Sequence, residues 1–165
     1  MTNKIIGIQG DKLDKINISS DTSIFLANEA QKLGYKIFYY TPSNLSIIKN
    51  KTYANGVFVK LNYERKKFYK IYKKQKIDVE NLKFILIRQD PPFNSEYLIT
   101  TLILDNLKKA RVINNPVAIR NVSEKLYSKK FTKYMPDTIF SNNIEEVKKF
   151  YKQNKSIIMK PINGY

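Results

Sequence analysis

The stretch from Phe84 to Phe93 constrains the fold of this chain more than any other. It reads Phe-Ile-Leu-Ile-Arg-Gln-Asp-Pro-Pro-Phe. Its four adjacent apolar residues are typical of a strand covered on both faces, as in a parallel sheet. Pro91 and Pro92 cannot extend a hydrogen-bonded ladder, so the strand must end before them. The sequence therefore predicts a buried parallel strand that delivers a charged segment at its carboxyl end.

Arg88 and Asp90 are the charged residues of that segment. Open α/β sheets bind their ligands at the carboxyl ends of the strands, so both residues are candidates for a binding site. An ion pair between the two within the loop is an equally good interpretation, because structural ion pairs are common in loops.

Strand-like and helix-like segments alternate through the first part of the chain. The predicted helices begin near Asp21 or Thr22, which can cap a helix end, and at Ser95. Alternation of this kind predicts an α/β fold with a doubly wound, mainly parallel, Rossmann-like sheet. The predicted strands are 4–9, 35–40, 84–87 and 111–114, and the predicted helices are 22–33, ended by Gly34, and 95–110.

Residues 45–76 interrupt this alternation. Two short strand-like runs, 45–49 and 56–61, predict a hairpin at the edge of the sheet. The basic and aromatic segment 63–76 favours an amphipathic helix, and the alternative is a surface on which single-stranded nucleic acid stacks. The turn residues of the hairpin region are Asn50-Lys51 and Asn55-Gly56.

A second unit is expected to open near Asn121. The pattern predicts short strands at 138–140 and 156–161 and an amphipathic helix at 144–153. We therefore expect a first domain at 1–120 and the truncated start of a second at 121–165.

The net charge of +16 suits a polyanionic partner, either a nucleotide or a nucleic acid. Lysines are spread along the whole chain, which favours a general compositional bias over a dedicated nucleic-acid surface. The chain has no Cys and no His, which excludes disulfides, thiolate chemistry and imidazole metal ligands. No apolar run is long enough to cross a membrane, and no signal peptide is evident, so a cytoplasmic protein is expected.

Lys125 and Lys160 stand at positions suited to an anion. Lys125 follows a predicted helix start, and Lys160 ends a predicted strand just before Pro161 and Gly164. Backbone N–H groups of a glycine-containing turn can approach phosphate oxygens beside a lysine. In so lysine-rich a chain, the residues alone favour solvated surface charges at both positions.

The sequence resembles the N-terminal part of prokaryotic-type glutathione synthetases, which are ATP-grasp ligases. The most specific resemblance is the Arg88-Gln89-Asp90-Pro91-Pro92-Phe93 segment. Two positions depart from the family pattern: Ser123 stands where the family has Asn, and Lys12 where it usually has Pro. The other resembling segments are Ile16-Asn17, Asp21-Thr22-Ser23, Val112 to Pro116, Arg120-Asn121, Glu124-Lys125-Leu126 and Ile158 to Gly164.

The resemblance implies a pre-ATP-grasp domain followed by the start of an ATP-grasp domain. It implies ligation of γ-glutamylcysteine to glycine, with ATP and Mg²⁺, in a cytoplasmic homotetramer. Lys125 and Lys160 would contact ATP, and the metal ligands would lie beyond Tyr165. The chain alone is then expected to be inactive. The residues implied for the peptide substrate are Arg88, Asp90, Asn17, Thr22 and Ser23.

Two other functions stay open at this point. The first is a related ATP-grasp carboxylate–amine ligase with a different amine acceptor. The second is a non-enzymatic basic module that binds nucleic acid through the tract 63–76.

Overall fold

A computed structural model describes residues 4–64 and 67–162, and these residues build a seven-stranded sheet with helices on both faces. The strands are β1 (Ile5–Gln9), β2 (Lys36–Tyr40), β3 (Leu45–Ile48), β4 (Lys51–Leu61), β5 (Tyr69–Asp78), β6 (Phe84–Ile87) and β7 (Arg111–Ile113). The helices are α1 (Thr22–Lys32), α2 (Ser95–Asp105), α3 (Pro116–Asn121), α4 (Glu124–Tyr127) and α5 (Ile144–Asn154).

The centre of the sheet is parallel, in the order β2-β1-β6-β7. From β1 the chain passes through α1 to β2 on one side, and from β6 it passes through α2 to β7 on the other. The strand order therefore reverses between β1 and β6. This point is the topological switch at which doubly wound sheets bind ligands. The predicted doubly wound α/β fold is confirmed.

The two faces of the sheet carry separate cores. Ile24 and Ala27 of α1 pack with Ile6 and Ile8 on one face. On the opposite face, Leu104 of α2 packs in a cluster with residues of β2, β4 and β6. Burial on both faces explains why β6 has no polar alternation.

The segment 63–76 is not a helix, contrary to prediction. Residues 69–78 form β5, which pairs antiparallel with β4 from Leu61↔Tyr69 to Tyr53↔Asp78. An amphipathic pattern of this length fits a strand as well as a helix, and pairing with a long neighbouring strand decides between them. Gly56, predicted in a turn, lies inside β4, and the turn before β4 falls at Lys49-Asn50. Arg65 and Lys66 of this tract lie outside the described residues.

The second unit contains α4 and α5, and α5 matches the predicted helix. The strands predicted at 138–140 and 156–161 are irregular segments in the part of the chain that is described. A strand needs a neighbour to satisfy its backbone, and neither segment has one there. Ile158 and Met159 are 87% and 74% exposed. Lys160, predicted to end a strand, therefore lies in an exposed irregular segment.

None of the helices in the described ranges combines the length and apolar character needed to cross a membrane.

Gly56 is required by close packing inside β4. A Cβ built at this position would lie 2.6 Å from the backbone oxygen of Tyr39 and 2.5 Å from Cζ of Phe38. We expect Gly56→Ala to lower the free energy of unfolding by about 1–3 kcal/mol, because the backbone of β2 cannot move aside cheaply. Urea denaturation measures this, with Asn55→Ala on the exposed neighbouring residue as the control. Equal stabilities of the two variants would contradict the packing argument.

Glu80 explains why α2 ends at Asp105 rather than at the predicted Ala110. Its carboxylate accepts the backbone N–H groups of Lys108 and Lys109, both at 2.7 Å, and of Ala110 at 3.0 Å. These N–H groups therefore bond to a side chain and do not bond to the carbonyl groups that a longer α2 would offer. Partial burial works to raise the pKa of Glu80, but the three N–H donors outweigh it and hold the pKa below its ordinary value.

The stabilising effect of Glu80 should depend on pH. A carboxyl group whose pKa is lower in the folded state stabilises the fold above its unfolded pKa, and this stability is lost as pH falls through the folded pKa. We expect Glu80→Gln to be less stable than the parent protein near neutral pH, and the difference to begin to shrink below pH 4.5 and to be lost as pH falls through the lower folded pKa. Denaturant unfolding over that pH range tests this. Glu64→Gln, on an exposed side chain, is the matched control.

Candidate functional site

A cavity of about 720 Å³ opens at the switch point between β1 and β6. Its walls come from the loops after β1, β2 and β6 and from the start of α1. Its size lies within the range of about 300–1,000 Å³ that is typical of ligand pockets. All five residues that the sequence predicts for substrate binding line it: Asn17, Thr22, Ser23, Arg88 and Asp90.

The Arg88 guanidinium is held against the first turn of α1. Its Nε donates to Oγ of Ser23 at 2.9 Å, and its Nη2 donates to Oγ1 of Thr22 at 2.7 Å. Its backbone N–H donates to the carbonyl of Gln9 at 2.7 Å, which continues the β1–β6 ladder by one bond. The guanidinium is thus fixed in direction before any ligand arrives, and its remaining N–H groups stay available.

Arg88 and Asp90 do not pair with each other. No ion pair joins them within the ranges that the structure describes. The backbone N–H of Asp90 instead donates to Oδ2 of Asp11 at 3.0 Å. The loop ion pair considered from the sequence is therefore wrong, and both side chains face the cavity.

A buried polar chain lies beneath Arg88, and sequence reasoning missed it. The amide of Gln9 donates to Oε1 of Gln89, and the Gln89 amide donates to Oγ1 of Thr100 at 3.3 Å. All three residues are buried. These bonds connect the ends of β1 and β6 to α2 through Gln89, which follows Arg88, and Gln9, whose carbonyl accepts the Arg88 backbone N–H. A glutamine at the predicted end of each central strand is the signal that could have revealed the chain.

Carboxylates also line the cavity. Asp11 and Asp21 join Asp90 there, together with Glu96. The Tyr39 hydroxyl lies among them and donates to the backbone carbonyl of Asp11 at 2.6 Å. Burial raises the pKa of Tyr39, and the negative charges of the three aspartates raise it further. The phenol therefore stays protonated and acts as a donor.

Asn17 and Asp21 also have local structural roles. The Asn17 side-chain oxygen accepts the Ser19 N–H at 3.2 Å and the Ser19 hydroxyl at 2.7 Å. Asp21 caps α1 by accepting the N–H of Ile24 at 2.8 Å. Both residues shape the loop that closes the cavity, and their side chains still line it.

Lys125 and Lys160 lie away from this cavity, since neither lines it. Lys125 lies in α4, near a helix start as predicted. Lys160 lies in the irregular segment described above, and Gly164 falls outside the described residues. The part of the chain that is described also holds no group of three acidic, His or Cys side chains that could bind a metal.

The cavity can bind a small molecule that carries both signs of charge. Arg88, Lys12 and Lys15 supply positive charge, while the aspartates and Glu96 supply negative charge. A guanidinium recognises carboxylate in two places at once, and carboxylates recognise an ammonium group. This arrangement suits an amino acid or a short peptide better than a purely anionic ligand.

Comparison with known proteins shows which family the chain resembles. Residues 5–120 match the family model described as "Prokaryotic glutathione synthetase, N-terminal domain". Residues 124–165 match the one described as "Prokaryotic glutathione synthetase, ATP-grasp domain".

Curated relatives bear the same name. Glutathione synthetase of Mesorhizobium japonicum is 36% identical over 160 residues, covering 96% of this chain and 51% of the relative. That of Rhodopseudomonas palustris is 34% identical, covering 97% and 51%. That of Buchnera aphidicola from Acyrthosiphon pisum is 34% identical, covering 96% and 50%. The chain spans about half the length of the curated relatives it matches.

The anchor of Arg88 on α1 can be tested by removing one hydroxyl. Ser23 is buried, so Ser23→Ala leaves the Arg88 Nε donor without its partner. We expect a loss of about 1–3 kcal/mol in the free energy of unfolding, measured by urea denaturation. Ser20→Ala, on an exposed residue of the same cavity, is the matched control and should be close to neutral. An unchanged free energy of unfolding in Ser23→Ala would show that the hydrogen bond from Arg88 to Ser23 does not stabilise the fold.

Proposed function

Since the chain belongs to the prokaryotic glutathione synthetase family, we propose that it binds γ-glutamylcysteine for ATP-dependent ligation to glycine. This activity belongs to the whole protein. The curated relatives are about twice as long as this chain. The reaction class is carboxylate–amine ligation. The role assigned to residues 1–120 is to hold the peptide substrate.

The observation that carries the proposal is the Arg88 guanidinium, held in place in a cavity of mixed charge. γ-Glutamylcysteine has two carboxylates and one ammonium group. Arg88 fits one carboxylate through two parallel N–H donors. Asp11, Asp21 and Asp90 line the same cavity and supply negative charge for the ammonium group. Lys12 and Lys15 add positive charge.

Arg88 best holds the carboxylate that does not react. Two charge-assisted hydrogen bonds draw electron density from a carboxylate and make it a poorer nucleophile. The cysteinyl carboxylate must stay reactive, so we assign Arg88 to the glutamyl carboxylate. Fixing one end of the peptide orients the other, and such positioning lowers the entropy cost of the reaction.

ATP would supply activation, by converting the cysteinyl carboxylate to an acyl phosphate from which the glycine amine displaces phosphate. Lys125 and Lys160 are the residues proposed to contact ATP, as the family resemblance implies. Neither lysine lines the cavity of Arg88, and the described residues hold no group of three acidic, His or Cys side chains that could bind a metal. We therefore assign the binding of Mg²⁺ to the whole enzyme.

We further propose that residues 1–120 form the substrate-binding domain and that 121–165 belong to the ATP-grasp domain. The two family models, which meet between Asn121 and Ser123, support this boundary. A cytoplasmic location and a homo-oligomer, a tetramer in the family, complete the proposal. A related ligase with another acceptor has less support, since the relatives named above are glutathione synthetases.

The nucleic-acid module also has less support. The lysines of β5 alternate between the two faces of the sheet: Lys74 and Lys76 lie on the face of α1, and Lys70 and Lys73 lie on the other. A surface that binds nucleic acid would gather them on one face.

The role of Arg88 is tested in the full-length protein with Arg88→Lys, which keeps the charge and removes the planar fork. We expect the KM for γ-glutamylcysteine to rise by about 10- to 100-fold, with the KM for ATP little changed. ADP release in a coupled assay measures both values. Arg111→Lys is the matched control. Arg111 lies at the amino end of β7, whereas Arg88 follows the carboxyl end of β6.

An Arg88→Lys enzyme with normal affinity for the dipeptide would remove the basis of this assignment. A parent enzyme that releases ADP only with a different peptide or amine would favour the related-ligase alternative.

A further inference from the structure

Arg88 and the residue after it are attached to the two helices that flank the switch point. The Arg88 side chain donates to the hydroxyls of Thr22 and Ser23 on α1. Gln89 turns its side chain to the other face of the sheet and donates to Oγ1 of Thr100 on α2 at 3.3 Å. Successive residues of an extended segment point to opposite faces, so one backbone carries both attachments. The direction of Arg88 therefore depends on contacts on both sides of the sheet.

The buried hydrogen-bond chain beneath Arg88 runs in one direction. The Thr100 hydroxyl has a single proton, which it donates to the carbonyl of Tyr97 at 2.9 Å. Thr100 must therefore accept from the Gln89 amide, and the Gln89 oxygen must in turn accept from the Gln9 amide. A threonine of α2 thus sets the orientation of both buried amides.

This chain of hydrogen bonds is retained at an energetic cost. Oε1 of Gln9 is buried and has no hydrogen-bond partner among the described residues. A buried acceptor without a partner destabilises a fold, whereas two apolar side chains of similar size would be close to neutral. Stability alone therefore does not account for the two glutamines.

The hydrogen-bond chain lies outside the cavity that Arg88 lines. In the part of the sequence that is described, Gln9, Gln89 and Thr100 are not among the residues of the cavity wall. They contact the backbone that carries Arg88 instead. The Arg88 N–H donates to the Gln9 carbonyl at 2.7 Å, and Gln89 is the next residue. A change in the hydrogen-bond chain therefore reaches a ligand through this backbone.

The segment that follows Arg88 is attached to the same part of α2 at its far end. The rings of Phe93 and Tyr97 pack with their centroids 5.1 Å apart. The Tyr97 carbonyl is also the acceptor at the end of the hydrogen-bond chain. Residues 89–93 are thus joined to α2 at both ends, by the Gln89 amide and by the Phe93 ring.

We propose that Thr100, Gln89 and Gln9 are positioning residues that hold the Arg88 guanidinium in the direction in which it binds a carboxylate. They act through the backbone at residues 88 and 89. The proposal rests on the proposed function, because it takes the carboxylate to be that of γ-glutamylcysteine. An arginine fixed before binding lowers the entropy cost of binding. Loss of the hydrogen-bond chain should therefore raise KM and leave kcat close to the parent value.

Thr100→Val tests the proposal, since it removes the hydroxyl and nearly keeps the shape of the side chain. In the full-length protein we expect the KM for γ-glutamylcysteine to rise about 3- to 10-fold, as one lost hydrogen bond would cause. The values of kcat and of the KM for ATP should stay close to those of the parent. Thr100→Ser keeps the hydroxyl and should restore the parental KM. ADP release in a coupled assay measures these values.

Thr101→Val is the matched control. Thr101 is the next residue of α2 and is also buried. Its hydroxyl donates to the Leu98 carbonyl at 2.7 Å, as that of Thr100 donates to Tyr97, but it is not part of the hydrogen-bond chain. A general effect on α2 would change KM equally in both variants. Equal KM values in Thr100→Val and Thr101→Val, whether raised or parental, would overturn the proposal.

A combined variant tests whether the effect passes through Arg88. Arg88→Lys lacks the planar fork, so adding Thr100→Val should raise the KM for γ-glutamylcysteine by less than about twofold more. A further rise as large as that in the parent background would show another route and would overturn the proposal. A parental KM in Thr100→Val alone would overturn the positioning role and leave the proposed function intact. A parental KM in Arg88→Lys would contradict both.

A double substitution keeps the proposal testable if Thr100→Val fails to fold. Gln9→Met combined with Gln89→Met removes both amides together, while the Thr100 hydroxyl keeps its bond to Tyr97. It also removes the unpartnered oxygen of Gln9. We expect urea denaturation to give a free energy of unfolding no lower than that of the parent, and the KM for γ-glutamylcysteine to rise about 3- to 10-fold. A parental KM in this double variant would overturn the proposal, whatever its stability.

Discussion

The parallel pairing of β1 with β6 is the contact on which the cavity, its charges and its anchoring depend. In its register Gln9 lies opposite Ile87, so both strands end at the same level. The chain then leaves β1 toward α1 on one face and leaves β6 toward α2 on the other. Two segments that diverge in this way open a crevice between them. One further backbone bond, from Arg88 to Gln9, places the guanidinium at its mouth.

The first turn of α1 has two functions at this crevice. Asp21 satisfies the N–H of Ile24 and so begins the helix. The next two residues, Thr22 and Ser23, use their hydroxyl oxygens to hold Arg88. A free arginine side chain has many rotamers, and restricting them in advance lowers the entropy cost of binding a carboxylate. Three consecutive residues therefore divide the capping of α1 and the anchoring of Arg88 between them.

The charge of the cavity differs from that of the rest of the chain. The chain is strongly basic, yet its cavity combines Arg88 and two lysines with several carboxylates, as a ligand with both signs of charge requires. Elsewhere the lysines protect the fold, since those on the free edge of β5 oppose pairing with another strand.

The amino-acid sequence by itself determined the central strands, the caps of α1 and the position of Arg88 after β6. These features depend on local causes: apolar runs, side-chain caps and two prolines that end a strand. Only the tertiary structure decided that residues 69–78 form a strand, since that requires β4 as a partner. It also decided that Arg88 contacts α1 rather than Asp90, and that the buried Gln9–Gln89–Thr100 chain lies beneath it. Those contacts join residues far apart in sequence, and only the folded sheet brings their donors and acceptors together.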